Sequence, residues 1–88
     1  MDFEWDDYKA EANWRQHRVS FEEAVRVFDD PCQFNYEDNS VRYEDRFNVI
    51  GMMRGRLVTV TYAIRGDKYR IVSARGAEPH EKRKYHEI

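Results

Sequence analysis

The sequence predicts an α+β fold in which two N-terminal helices pack on an antiparallel β-sheet and a short C-terminal helix follows. Three observations predict it. Helical spacing and a capping signal lie before Pro31, a period of two follows it, and helices and strands do not alternate as βαβ units would. The 88 residues are expected to form one domain over 1–88, because a chain of this size buries only about 60–65% of its unfolded surface in a single core. A hydrophobic fraction of 41%, with 15% aromatics, excludes a disordered chain although 36% of residues are charged.

Phe3-Glu4-Trp5 alternates apolar, polar, apolar and is expected to be a short edge strand. Asp6 or Asp7 offers an N-cap for a helix from Tyr8 to His17, with Tyr8 and Ala12 on one apolar stripe and Ala10 and Trp14 on the next. Trp5 and Trp14 are assigned to the core. Ser20-Phe21-Glu22-Glu23 is a capping box, and Phe21, Ala24, Val25 and Phe28 follow at i, i+3, i+4 and i+7. Asp30 precedes a proline and ends that helix.

Beyond Pro31, Cys32 to Tyr36 adds an edge strand, and Phe47, Val49 and Gly51 alternate along the next. Leu57 to Ile64 reads LVTVTYAI, a β-branched and aromatic run suited to a central strand, and Tyr69 to Arg75 completes a meander. Arg54-Gly55 and Gly66-Asp67 fit two-residue hairpin turns. Pro79 suits a first helical position, with a terminal helix over Glu81 to His86. Both N-terminal helices are expected on one sheet face, leaving the other available.

The net charge is −2, but it is unevenly placed. Residues 1–40 carry four basic and eleven acidic side chains, whereas residues 41–88 carry eleven basic and six acidic. Such asymmetry fits an anionic partner for the second half, or a chance division of surface charge. No apolar run is long enough to cross a membrane. Met1 to Asp7 is acidic and aromatic, unlike a secretory signal, and the lone Cys32 has no internal disulfide partner, so the expected location is the cytoplasm.

Several chemistries lack their residues. His80 and His86 are six apart, which puts them on different sides of a helix, and His17 and Cys32 stand alone, so no metal site is expected. There is no nucleophile elbow, P-loop or glycine-rich dinucleotide turn. Arginines remain. Strict alternation puts Tyr69, Ile71, Ser73 and Arg75 on one face and Arg70, Val72 and Ala74 on the other, so Arg70 and Arg75 converge only across a bulge. One of them is expected to pair with Glu44 or Asp45. These arginines read either as surface ion pairs or, if convergent, as a phosphate site whose guanidinium forks stabilise growing negative charge.

The order of residues carries more than the composition does. Phe3-x-Trp5-Asp6-x-x-Lys9, then Asn13, His17 and SFEEAVRVFDDP, are followed by Glu44-Asp45-Arg46, Gly51, LVTVTYAIR, RIVSAR, Ala77, Glu81 and Tyr85. This pattern, from Phe3 to Tyr85, resembles the BrnT family of toxins from type II toxin–antitoxin systems. The resemblance implies a RelE/ParE-like fold and a metal-independent endoribonuclease, without cofactor, that inhibits translation. It implies a BrnA-like ribbon-helix-helix antitoxin as partner, RNA as substrate, operator DNA reached only through the antitoxin, and no membrane.

In the mechanism this implies, the RNA 2′-OH attacks the adjacent phosphorus while Arg46, Arg65 and Arg75 hold the phosphate. Glu44, His17 and Tyr85 are candidate proton carriers, with the assignment open, and Arg70, Lys68 and Lys9 are candidate substrate contacts. Lys9, Asn13 and His17 form an i, i+4, i+8 stripe; the preferred reading is that Asn13 and His17 brace the turn before Ser20. Glu81 and Tyr85 either close over the basic face or simply pack the last helix. Arg75, at a strand end on an open face, is expected to add little to stability, and the antitoxin is expected to cover unpaired guanidiniums. One departure stands out: the family usually has glycine after the histidine, where this chain has Arg18. A glycine would supply positive φ, so Arg18 either adopts that geometry or the turn differs. The alternative function is a non-catalytic toxin-like module that serves as antitoxin partner and operon co-repressor.

Overall fold

The structure, a computed structural model, describes residues 2–87. Strand β1 (Asp2–Glu4) leads into α1 (Asp7–His17), and α2 (Phe21–Ala24) runs on as a 3-10 helix (Val25–Asp29). Strands β2 (Phe34–Asp38), β3 (Arg46–Met53), β4 (Arg56–Arg65) and β5 (Lys68–Gly76) follow, and then α3 (Pro79–His86). The five strands form one sheet in the order β1-β5-β4-β3-β2. The α+β class stands, but the sheet is mixed rather than wholly antiparallel, because β1 pairs in parallel with β5.

Local chemistry accounts for most boundaries. Asp6 caps α1 by accepting from the amides of Tyr8 at 2.8 Å and Lys9 at 3.3 Å. Helix α1 ends where Arg18 takes the left-handed geometry, φ 57° and ψ 35°, that a glycine would occupy without strain; its guanidinium lies 5.7 Å from the Trp14 ring centre. Ser20 caps α2 through the Glu23 amide at 3.2 Å. The return half of that capping box is not made, because the Glu23 carboxylate pairs with Arg54 at 2.9 Å. The reciprocal box occurs instead at α3, between Glu78 and Glu81, with Pro79 in the first turn.

The change from α to 3-10 geometry at Val25 alters which side chains face inward. Three residues per turn aligns Phe21, Ala24 and Val27, all buried, and leaves Val25 and Phe28 half-buried. Of the apolar positions expected on α1, Ala10 packs against the core, but Tyr8 is 87% and Trp14 46% exposed, and the side chain buried from α1 is Asn13. Its Nδ2 donates to the carbonyls of Val19 at 2.9 Å and Ala74 at 2.7 Å, and its Oδ1 accepts from the Ala74 amide at 3.0 Å. One amide side chain thus joins α1, the turn before α2 and β5. At Gly51 the 3-10 helix lies so close to β3 that a Cβ would meet Val27 Cβ and carbonyl oxygen at 2.8 Å.

The turn Arg54-Gly55 has positive φ at both residues, 49° and 80°, as a type I′ hairpin requires, and Gly66 has φ 62° in the next hairpin. A bulge interrupts the β4–β5 ladder: Thr61 faces Ser73 and Tyr62 faces Ile71, so Val72 is the extra residue. Val49, Val58, Val60, Tyr62, Ile71 and Ala74 then share the face that meets α1, α2 and the 3-10 helix. Helix α3 covers one end of the opposite face, so that face is not wholly available.

Candidate functional site

The register sorts the second face into three cross-strand rows. The first reads Asp38, Arg46, Ala63, Arg70, Glu4. The second reads Tyr36, Asn48, Thr61, Ser73, and the third Phe34, Ile50, Thr59, Arg75. The bulge is what brings Arg70 and Arg75 to the same face, against the strict alternation. Arg65 and Lys68, paired across the last hairpin, continue this second face at its rim beyond the first row and are exposed. Helix α3 lies over the third row, where Ile50 and Thr59 are buried, whereas every side chain of the second row stays partly accessible.

Three arginines of this face, Arg46, Arg70 and Arg75, carry carboxylate partners, as the ion-pair reading expects and the reading of unpaired guanidiniums does not. Arg46 donates from Nε to Glu44 at 2.6 Å, donates to the Tyr43 hydroxyl at 3.2 Å and lies over the Tyr43 ring. Arg70 pairs with Glu4 at 2.9 Å, not with Glu44 or Asp45. Arg75 makes a two-pronged pair with Glu81, at 2.7 and 3.1 Å, and its Nη1 lies 3.5 Å from Glu78. Among the described residues Arg65 and Lys68 have no carboxylate partner.

Glu81 is the hub of the α3 end. It is 1% exposed and also accepts from the Tyr36 hydroxyl and the Glu78 amide, both at 2.9 Å. Burial pushes its carboxyl upward, but the Arg75 guanidinium, the Glu78 amide and the Tyr36 hydroxyl outweigh it and hold the pKa at about 2. The same contacts act on their partners. Burial, and then Glu81, push Tyr36 to about 12, and Glu81 raises Arg75. Arg75 is therefore the counter-charge of a buried carboxylate as well as a face residue, not a free arginine at a strand end.

The remaining candidates are dispersed. His17 ends α1 and Lys9 lies exposed on it, both in the helical layer behind the sheet and away from the arginine rows. Tyr85 does not close over the basic face. Its hydroxyl donates to Asp30 at 2.5 Å, and that bond, with burial second, raises it to about 12. Asp30 also accepts from the Cys32 and Met52 amides, each at 2.8 Å; burial raises its carboxyl, but these three donors lower it overall. Glu44 alone of the candidate proton carriers touches an arginine of the face. Sequence reasoning missed Tyr36, Tyr43, Asn48 and Thr61. Period-two alternation along β2 and β3 would have placed Tyr36 with Phe34 and Asn48 with Arg46, whereas nothing local indicates the Thr61 hydroxyl donating to Asn48 at 2.6 Å.

Among the described residues no three His, Cys, Asp or Glu side chains converge where a metal could be held, and no helix is long and apolar enough to cross a membrane. What the face offers is a set of oriented guanidiniums bordering a strip of amide and hydroxyl groups, chemistry that suits an oxyanion. No curated relative matches the chain. Residues 5–81, nearly its whole length, match the family described as ribonuclease toxin, BrnT, of type II toxin–antitoxin systems. The motifs from Trp5 to Glu81 and the arginine-bearing sheet therefore belong together: this chain is a member of the BrnT family of ribonuclease toxins.

Proposed function

We propose that the chain is a metal-independent endoribonuclease of RelE/ParE-like fold that inhibits translation in the cytoplasm. The observation that carries the reading is the first cross-strand row. Arg46 and Arg70 flank Ala63, a fully buried residue that adds no bulk between them, on the part of the sheet that α3 leaves open. A phosphate laid there meets two guanidiniums, with Arg65 and Lys68 at the rim and Asn48, Thr61 and Ser73 alongside. The RNA 2′-OH is an internal nucleophile, so the protein's task is to hold the phosphate in line and stabilise the charge that grows on it. Glu44 is the proton acceptor that this geometry favours, 2.6 Å from the Arg46 Nε. His17 and Tyr85 are left out of the reaction, because one lies in the opposite layer and the other is engaged with Asp30.

A BrnA-like ribbon-helix-helix antitoxin is the partner in this reading, and operator DNA is reached only through it. Since Arg46, Arg70 and Arg75 already carry carboxylate partners, an antitoxin that covers this face must compete with Glu44 and Glu4 rather than meet bare cations.

The test is direct. The purified chain should cleave RNA in the presence of a chelator, leave cyclic phosphate ends and spare a substrate with a 2′-deoxy sugar at the cut site. Arg46→Ala should slow cleavage by about 10²–10³ with the melting temperature nearly unchanged, because Glu44 is left near solvent, 27% exposed. Growth arrest on expression, relieved by the antitoxin, separates this enzyme from a non-catalytic module. Full activity in Arg46→Ala would remove the site from this face.

A further inference from the structure

We infer that the cleft between the β2 edge and α3 is a stacking subsite for a nucleobase of single-stranded RNA, next to the phosphate on the arginine row. The inference rests on the ribonuclease reading and adds a substrate contact to it. Phe34 and Tyr36 alternate along β2 and so share the open face, with ring centres 6.1 Å apart and planes tilted by 44°. Phe34 is 36% exposed, a large apolar ring at the end of the sheet. With His80 and Lys84, i and i+4 on α3, these rings line a cleft of about 300 Å³, the lower end of the volumes that hold organic ligands.

The chemistry of the lining selects the occupant. An aromatic floor alone would accept any hydrophobe, but the rim carries Lys84 and His80, and the lining carboxylate, Glu81, is already engaged by Arg75 and Tyr36. Flat π surface beside the Lys84 ammonium is what a base and its phosphate require, and such stacking tolerates every base. The cleft also lies on the same sheet face as the proposed cleavage row, with the Tyr36–Asn48 pair between them. Tyr36 faces Asn48 and Phe34 faces Ile50, so a chain crossing Arg46 reaches Phe34 within about 13 Å along the strands.

The test uses short, fluorescently labelled single-stranded oligonucleotides with 2′-deoxy sugars, which bind without being cut. Phe34→Ala and Phe34→Leu are compared with the wild type by anisotropy; leucine keeps apolar bulk at the sheet edge and removes only the π face. Each variant should bind about tenfold more weakly and raise the KM for RNA. An abasic nucleotide moved along the oligonucleotide should cost the wild type the same factor at one position, with no further loss in Phe34→Leu. A Phe34→Leu protein that binds as the wild type does, or that loses affinity equally for abasic and intact strands, overturns the inference. So does a variant that weakens only antitoxin binding, which would assign the cleft to the protein partner. A wild type that neither binds nor cuts RNA overturns the ribonuclease reading as well, whereas normal cleavage insensitive to Phe34 overturns the subsite alone.

Discussion

Arg75→Ala is expected to unfold the protein more readily before it reveals anything about catalysis. The substitution removes both guanidinium bonds to a carboxylate that is 1% exposed. Glu81 retains two neutral donors, the Tyr36 hydroxyl and the Glu78 amide, but its charge stays buried without a counter-charge. Stranding a buried charge costs about 3–5 kcal/mol. The Arg75 side chain is 32% exposed, so water enters the vacated space, and the lower figure, about 3 kcal/mol, applies. At about 4–8 °C per kcal/mol for a domain of this size, the melting temperature should fall by about 12–24 °C. Urea unfolding followed by circular dichroism should show a lower midpoint at unchanged slope. The double variant Arg75→Met with Glu81→Leu leaves no charge behind and should recover all but about 1 kcal/mol, the residue being the lost cap on α3. A loss below 1 kcal/mol in Arg75→Ala, or a double variant no better than the single, would refute the view that Arg75 serves to neutralise Glu81.

Three further outcomes follow from the same geometry. Glu81 is held at about 2, below its ordinary 4.5, so its stabilisation is complete above about pH 4.5 and disappears as the pH falls through about 2; urea midpoints across that window should drop more steeply in the wild type than in Glu81→Gln. Arg18→Gly should stabilise the protein by about 0.5–1 kcal/mol, measured by thermal melting, because the left-handed geometry it holds is free of strain for glycine and the contact with Trp14 is weak. Gly51→Ala should cost about 1–3 kcal/mol in chemical unfolding, since its new methyl would collide with Val27 backbone as well as side chain; an unchanged midpoint would show that the 3-10 helix moves aside freely.

What the sequence made legible was what neighbouring residues decide. Asp6, Ser20 and Pro79 start helices by local hydrogen bonding or a preset φ, and Arg54-Gly55 and Gly66-Asp67 turn hairpins, so these elements could be placed from short windows. On α2 the expected Phe21 and Ala24 are buried and Val25 and Phe28 pack against the core, but Val27 was missed because it turns inward where the helix tightens to 3-10 geometry against Gly51, a residue distant in the chain. The carboxylate partners of Arg70 and Arg75 were not legible for the same reason. Which face Arg70 shares with Arg75 depends on one extra residue, Val72, and Arg75's true partner lies on a helix whose position only the folded sheet defines. Charge counts showed that the second half is basic. They did not show that Glu4, from the acidic half, crosses 66 positions to pair with Arg70.

The place of β5 in the sheet has a consequence for synthesis. It is the last strand made, yet it lies between the first strand and β4, and it is the strand that α1 and α2 pack against. A growing chain that stops before Lys68 leaves α1 without the strand it packs against and the arginine row without Arg70 or its link to Glu4. Even a complete β5 lacks the counter-charge for Arg75 until Glu81 has been added. Long-range pairing of this kind is intrinsically slow and forms after local contacts. No assembled face therefore exists until β5 has been made.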